Sequence, residues 1–172
     1  MEKYIKFGNK GKVFEENVEL MNDIYEKRGL GKVQFIPTPQ KYAKNKEGEK
    51  IHFFDKKSTI DFLGCLDYRT IAFDAKQCSE DRWNIKKNFK PHQEKALVGF
   101  RKGGATSFIL VYMKKYNEVY VLSLIDIQKF VALGLKSVSI EDLRANPLVF
   151  VGRGDQLPDY RKVLQRFAGR NL

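Results

Sequence analysis

The stretch TIDFLGCLDYRTIAFDAK, residues 59 to 76, decides how this chain is read. It has the look of two short apolar strands around a turn, yet it carries Asp61 and Asp74 among residues that should bury themselves. Side chains alternate along a strand, so Ile60 and Phe62 share one face while Asp61 shares the other with Leu63. By the same rule Ile71 and Phe73 face away from Ala72, Asp74 and Lys76. An antiparallel hairpin turning at Asp67 and Tyr68 sets Asp61 directly opposite Asp74. At about 5 Å between their Cβ atoms, two such carboxylates repel unless a cation lies between them. Asp-Tyr is not a favoured two-residue turn, and a loop with an odd number of residues would send the acids to opposite faces.

Two readings of the acids stand side by side. In one they are solvated positions on a half-wet antiparallel sheet, with Lys76 pairing weakly with Asp74. In the other they are hard oxygen ligands for Mg2+, which is commonly held by one or two carboxylates, waters and substrate phosphates. A nucleic-acid backbone would complete that shell. The metal would polarise a scissile phosphate and activate a water, and the Lys76 ammonium would stabilise developing charge or orient that water.

Composition narrows the choice of partner. The 172 residues, 42% of them hydrophobic, suit a single domain with a real core. Lys plus Arg number 32 against 21 Asp plus Glu, a net charge of +11 that attracts a polyanion. Nucleic acid is the first candidate. The longest apolar run, Phe108 to Met113, is far too short to span a bilayer, so no membrane partner is expected. No apolar signal segment stands near Met1, and the protein is expected to remain cytoplasmic. Cys65 and Cys78 fit no metal-ligand spacing and read as free thiols.

Along the chain, Phe14, Val18, Met21 and Tyr25 form the apolar stripe of a helix that runs to about Arg28, before Gly29. Val33 to Ile36 reads as a strand stopped by Pro37 and Pro39. Lys41 to Lys57, with six lysines against three acids, is too long for a tight turn and too charged to bury. It is a disordered loop or, on the favoured reading, a projecting hairpin that touches a partner. A helix opening at Pro91 turns Ala96, Leu97 and Phe100 inward and ends before Gly103. Ala105 to Met113 and Val119 to Leu124 suggest a hairpin whose first strand is buried on both faces. Two short helices follow, one with Ser139 three residues ahead of Asp142 as a capping pair; Tyr160, Val163, Leu164 and Phe167 mark a terminal helix. This order predicts a mixed α/β domain.

The segments Ser58 to Gly64, Phe73-Asp74-Ala75-Lys76, Asn88-Phe89 and His92-Gln93, with Asn9-Lys10-Gly11 and Phe14-Glu15 upstream, together resemble the RecU family of Holliday junction resolvases. The likeness runs from about Asn9 to Gln93 and continues more faintly beyond. It implies a restriction-endonuclease-like mixed β-sheet flanked by helices, as one nuclease domain over residues 1–172. It also implies a homodimer and paired nicks in four-way DNA junctions that depend on Mg2+, with Mn2+ as a substitute. By the same resemblance Asp61 and Asp74 are metal-binding acids, Lys76 is the catalytic lysine, and Ala75 lends a carbonyl to the metal. Glu15 falls where the first helix of this superfamily often supplies another acid, and equally suits a first helical turn for its charge. Residues 37–57 correspond to a projecting basic stalk that reaches the junction centre, with Lys41, Lys44 and Lys46 as DNA contacts. Recombination proteins are further expected partners.

Three positions depart from the family pattern. Asp74 stands where Glu is expected, Ile60 where Thr is common, and Lys10 where Arg is common. A phosphate near the N-terminus would then meet a point charge in place of a planar fork. His92 and Gln93 open a helix, where Gln93 is a candidate contact for DNA or the attacking water and His92 reads as structural. Residues 86–102 carry six basic side chains, Lys86, Lys87, Lys90, Lys95, Arg101 and Lys102, against one Glu, and form the leading phosphate-binding surface. Trp83 and Tyr42 are packing residues or stacking platforms for exposed bases. The rival functions are a non-catalytic nucleic-acid-binding protein and a restriction or repair nuclease that cuts duplex DNA.

Overall fold

The computed structural model describes residues 12–37, 40–44, 50–54 and 59–166. Helix α1 (Lys12–Lys27) leads into β1 (Gly31–Phe35), and the separate antiparallel ribbon of β2 (Gln40–Lys44) and β3 (Lys50–Phe54) follows. Next come β4 (Phe62–Leu66), β5 (Arg69–Cys78), β6 (Arg82–Asn84), α2 (Ile85–Asn88), α3 (Pro91–Lys102) and β7 (Thr106–Met113). The chain continues as β8 (Glu118–Ser123), α4 (Leu124–Ala132), β9 (Ser137–Ser139), α5 (Ile140–Arg144), β10 (Phe150–Arg153) and α6 (Arg161–Arg166). The central sheet has six strands in the order β1-β4-β5-β7-β8-β10, and only β5 and β7 pair in parallel. That one parallel step requires a crossover, which α2 and α3 supply. The expected mixed sheet flanked by helices is the observed one.

Two buried layers sandwich this sheet. Phe14, Val18, Met21 and Tyr25 of α1 join Tyr160, Val163 and Leu164 over one face, against Phe62, Ile71, Phe73, Phe108 and Leu110. Leu97 of α3, Leu124 and Ile127 of α4, and Ile140 and Leu143 of α5 cover the other, against Ala72, Ile109, Val111 and Leu122. β7, served by both layers, is buried from Ser107 through Val111, as its unbroken apolar run required.

The register of β4 on β5 is the feature that positions the acids. Phe62 faces Phe73 and Leu66 faces Arg69, so the turn holds two residues, Asp67 and Tyr68. Their φ values of 49° and 61° define a type I′ turn, whose twist matches the flanking strands although Asp-Tyr is an unusual occupant. Tertiary contacts outweigh that preference. The Arg161 guanidinium grips the Asp67 carboxylate in bidentate fashion at 2.8–3.0 Å, Gln165 adds a bond at 3.1 Å, and Asp67 N–H donates to the Leu30 carbonyl at 2.9 Å. Phe62, Phe73 and Phe108 then stack across three strands at 4.9 and 4.6 Å between centroids. A one-residue slip would expel this row from the core, so the register is strongly specified.

Other details differ from the sequence reading. Asp61 lies at a bend one residue ahead of β4 and is not inside the strand; its backbone N–H goes to the Asp74 side chain instead of a strand ladder. Within residues 41–57, β2 and β3 pair antiparallel, with Tyr42 opposite His52. The short ribbon of β6 and β9 and the edge strand β10 carry no periodic signal and arise from tertiary pairing. Ser139 caps α5 as expected, its Oγ accepting the Asp142 N–H at 3.1 Å. Cys65 and Cys78 are free thiols. Phe167 lies outside the described residues. Among the described residues, no helix is long and apolar enough to cross a membrane.

Candidate active site

Where β5 runs on past the start of β4, its backbone loses a strand partner on that side, and Asp61 occupies the space. The Asp61 carboxylate accepts the Ala75 N–H at 3.0 Å and the Lys76 Nζ at 3.1 Å, both through Oδ2. Its own backbone N–H donates to Asp74 Oδ1 at 2.9 Å. Lys76 Nζ also stands 3.9 Å from Asp74 Oδ2. One ammonium therefore serves two neighbouring carboxylates. The surface reading of the acids is overturned: Asp74 is fully buried, and the side chains of Asp61 and Lys76 are only 13% and 19% exposed.

Electrostatics bear on the pair unequally. Burial pushes the Asp74 carboxyl from its ordinary 3.8 up to about 7; the Lys76 charge opposes the shift and the Asp61 charge adds to it. Asp74 Oδ2 is buried and accepts no hydrogen bond. An orphaned buried carboxylate oxygen is costly unless something else supplies positive charge. Glu15, in the first turn of α1, is raised too, first by its own burial and then by Asp61, with Lys76 pulling the other way.

The donor set suits a hard divalent cation. Asp61 and Asp74 offer carboxylate oxygens, one of them without a partner, and a strand directs the Ala75 carbonyl to the same side as its N–H, toward Asp61. Among the described residues no group of three or more His, Cys, Asp or Glu gathers to hold a metal, so Glu15 does not complete a three-acid cage. A two-carboxylate site leaves positions for water and phosphate, the arrangement Mg2+ tolerates best.

The remaining sequence candidates fall into separate groups. Gln93 is buried at the start of α3, and its Oε1 accepts the Lys90 N–H at 3.2 Å, so its carbonyl end caps its own helix. Lys86, Lys87, Lys90, Lys95 and Lys102 are exposed on or beside α2 and α3, while Arg101 is half-buried. Lys87 is engaged by Glu80 at 2.5 Å, an ion pair that local sequence does not announce. Trp83 is fully buried and packs in the core, which removes it as a stacking platform. Lys41 and Lys44 lie on β2, with their side chains outside the described residues, as are Tyr42's side chain, Lys10 and Lys46. The acid pair was legible from strand alternation. The hydrogen bond from the Ile36 N–H to the Asp61 carbonyl, 2.8 Å, was not, since it joins residues on either side of the ribbon.

The family described as Recombination protein U (RecU) matches residues 9–166 of this chain. The chain belongs to that family. A relative from Lactococcus lactis, the Holliday junction resolvase RecU, is 29% identical over 150 residues, covering 83% of this chain and 70% of its own length. One of the same name from Streptococcus equi is 28% identical over 177 residues, with 97% and 87% covered. Among solved structures, Archaeoglobus fulgidus Hjc, a Holliday junction resolvase from an archaeal hyperthermophile, aligns with a TM-score of 0.43 at 13% identity. That alignment covers 68% of this chain and 75% of the other.

Proposed function

We propose that this protein is a Holliday junction resolvase: a metal-dependent endodeoxyribonuclease of restriction-endonuclease-like design that makes paired nicks in four-way DNA junctions. The observation that carries the reading is the buried Asp74 carboxylate, with one unbonded oxygen, set beside Asp61 and Lys76 in a chain of the RecU family. Asp61 and Asp74 would hold the ion, with the Ala75 carbonyl as a third oxygen. Mg2+ is the physiological choice on ligand hardness, and Mn2+ a working substitute. When bound, the ion supplies Lewis-acid polarisation of the scissile phosphate and a bound water of lowered pKa.

The protein's own groups do the rest. The Ala75 N–H and the Lys76 ammonium hold the Asp61 carboxylate in one orientation, and the Asp61 N–H does the same for Asp74. Lys76, already between two carboxylates, has its ammonium available for the phosphoryl oxygens as negative charge develops. Glu15, drawn toward its protonated form by burial and by Asp61, is an added acid near the site and not a ligand of first resort. Gln93 fixes the first turn of α3; Lys90, Lys95 and Lys102 on or at the start of that helix, with Lys86 on α2, would meet phosphates.

Residues 1–172 would act as one cytoplasmic nuclease domain, with residues 37–57, which include β2 and β3, as a basic stalk into the junction. A homodimer would bring two such sites to a substrate that is itself two-fold symmetric. The test is cleavage of a labelled four-way junction in Mg2+ beside a duplex of the same sequence. Junction cutting that far exceeds duplex cutting supports the reading. Equal cutting of both makes the protein a duplex nuclease, and binding without cutting makes it a DNA-binding protein.

A further inference from the structure

Asp61 belongs to no strand, so no regular ladder sets its position. Its backbone is held from two sides. The β1–β4 pairing ends in register with Phe35 opposite Phe62, and one further bond follows: Ile36 N–H donates to the Asp61 carbonyl at 2.8 Å. A regular antiparallel pair would return the Asp61 N–H to β1. Here that N–H turns instead to Asp74 Oδ1 at 2.9 Å, on β5. Asp61 is thus stretched between two strands, its carbonyl tied to one and its amide to the other.

Local sequence makes Ile36 a firm anchor. Its side chain packs partly buried against the helix-covered core layer. Pro37 biases it toward extended backbone and, having no N–H, can extend the ladder no further. Ile36 is also the last residue before Pro37 and the β2–β3 ribbon, and Asp61 follows the ribbon closely on its return. The bond therefore joins a residue that precedes the ribbon to one that follows it, at a residue whose carboxylate faces Ala75 and Lys76.

We propose that the backbone N–H of Ile36 is a positioning group for the reaction: it holds the Asp61 main chain so that the Asp61 carboxylate meets the metal beside Asp74. The hydrogen bond from Ile36 then links the chain that leads toward the ribbon to Asp61 on the chain that returns from it, beside the covalent path through the ribbon itself. Ile36 touches neither substrate nor metal. The inference rests on the nuclease reading above, from which its test can be separated.

The test removes only that donor. Ile36→Pro deletes the N–H and Ile36→Val keeps it. An amide-to-ester replacement at position 36, which retains the isoleucine side chain, carries the test if the proline variant does not fold. Each protein is measured for Mn2+ binding without DNA by calorimetry, for junction Kd in EDTA, and for single-turnover junction cleavage. Loss of the donor should weaken Mn2+ binding and slow cleavage by on the order of 10- to 100-fold, the effect of a misplacement near 1 Å. Junction Kd should stay within about twofold, because phosphate contacts elsewhere set it. Ile36→Val should behave as the wild type. An ester protein with wild-type Mn2+ affinity and cleavage rate overturns the proposal while leaving the nuclease assignment intact. A wild type that neither binds Mn2+ nor cuts junctions overturns the assignment itself.

Discussion

The backbone N–H of Asp61 donates to Oδ1 of Asp74 at 2.9 Å, so one candidate metal ligand is hydrogen-bonded to the other before any ion arrives. The partner bonds from Ala75 and Lys76 leave Asp74 Oδ2 as the one carboxylate oxygen of the pair that is buried without a hydrogen bond. This asymmetry makes Asp74 the member of the pair whose charge is hardest to hold in the absence of metal.

Stability without metal follows from that asymmetry. The folded-state pKa of Asp74, raised to about 7 from 3.8, means the folded protein binds this proton more tightly than the unfolded chain does. Its stabilising contribution is complete below about pH 4 and is lost as pH rises to about 7. Asp74→Asn removes the charge and keeps the shape. In EDTA at pH 8 the variant should be more stable than the wild type, by on the order of 2 kcal/mol. Urea unfolding at pH 5 and pH 8 checks this, and a wild-type advantage at pH 8 would contradict it.

Metal affinity should carry the same signature with the opposite sense. A ligand must be deprotonated to bind, so the concentration of Mg2+ for half-maximal cleavage should fall steadily as pH rises from 6 to 8, through the region set by the Asp74 pKa of about 7. Saturating Mg2+ should move the pH–rate midpoint downward. A midpoint indifferent to Mg2+ concentration would mean that Asp74 is not a ligand.

Lys76 is placed to act on charge and not on affinity for DNA. Lys76→Met keeps an unbranched apolar stem and deletes the ammonium that stands 3.1 Å from Asp61 and 3.9 Å from Asp74. The single-turnover rate on a bound junction should fall by on the order of 10²- to 10³-fold, the size typical of losing one preorganised electrostatic stabiliser. Junction Kd should change little. Gel-shift and cleavage assays on the same preparation separate the two effects.

The exposed lysines around α3 should behave in the reverse way. Replacing Lys86, Lys90 or Lys95 by Gln should weaken binding to junctions of any sequence and lower the slope of log K against log salt by about 1 for each true phosphate contact. Lys87, already neutralised by Glu80, should matter less than its neighbours. Salt titrations of the single variants rank them.

Much of this arrangement was legible because it rests on short-range rules. Strand alternation put Asp74 and Lys76 on one side, and counting across a two-residue turn brought Asp61 to Asp74; the two-residue turn holds, but the ladder ends at Phe62 opposite Phe73, and Asp61 meets Asp74 from a bend through its backbone N–H. The apolar stripe of α1 and the Pro91 and Gly103 boundaries of α3 were equally local. The doubt over the Asp67-Tyr68 turn was settled by residues almost a hundred positions away, Arg161 and Gln165, which no local preference reveals. For the same reason the short strands β6 and β9 went unread: each is three residues long and is defined by its partner. Gln93 looked like a substrate contact because it opens a helix, and only the fold shows its carbonyl engaged with Lys90.

The turn offers a prediction remote from the site. Tyr68 is wholly exposed yet held at φ 61°, where a non-glycine residue is strained. Tyr68→Gly should raise stability by about 1 kcal/mol with cleavage unaltered. Asp67→Ala, which strands Arg161, should lower stability by about 1–2 kcal/mol. Thermal unfolding of both variants decides whether the turn is held by Asp67 or by its own backbone.

The most direct measurement is cleavage of a four-way junction, labelled on each strand in turn, by the wild type and by Asp74→Ala at equal junction occupancy in Mg2+. The account predicts paired nicks by the wild type, little cutting of the matched duplex, and no nicks by the variant although it binds the junction normally. Nicking that persists in Asp74→Ala would contradict it.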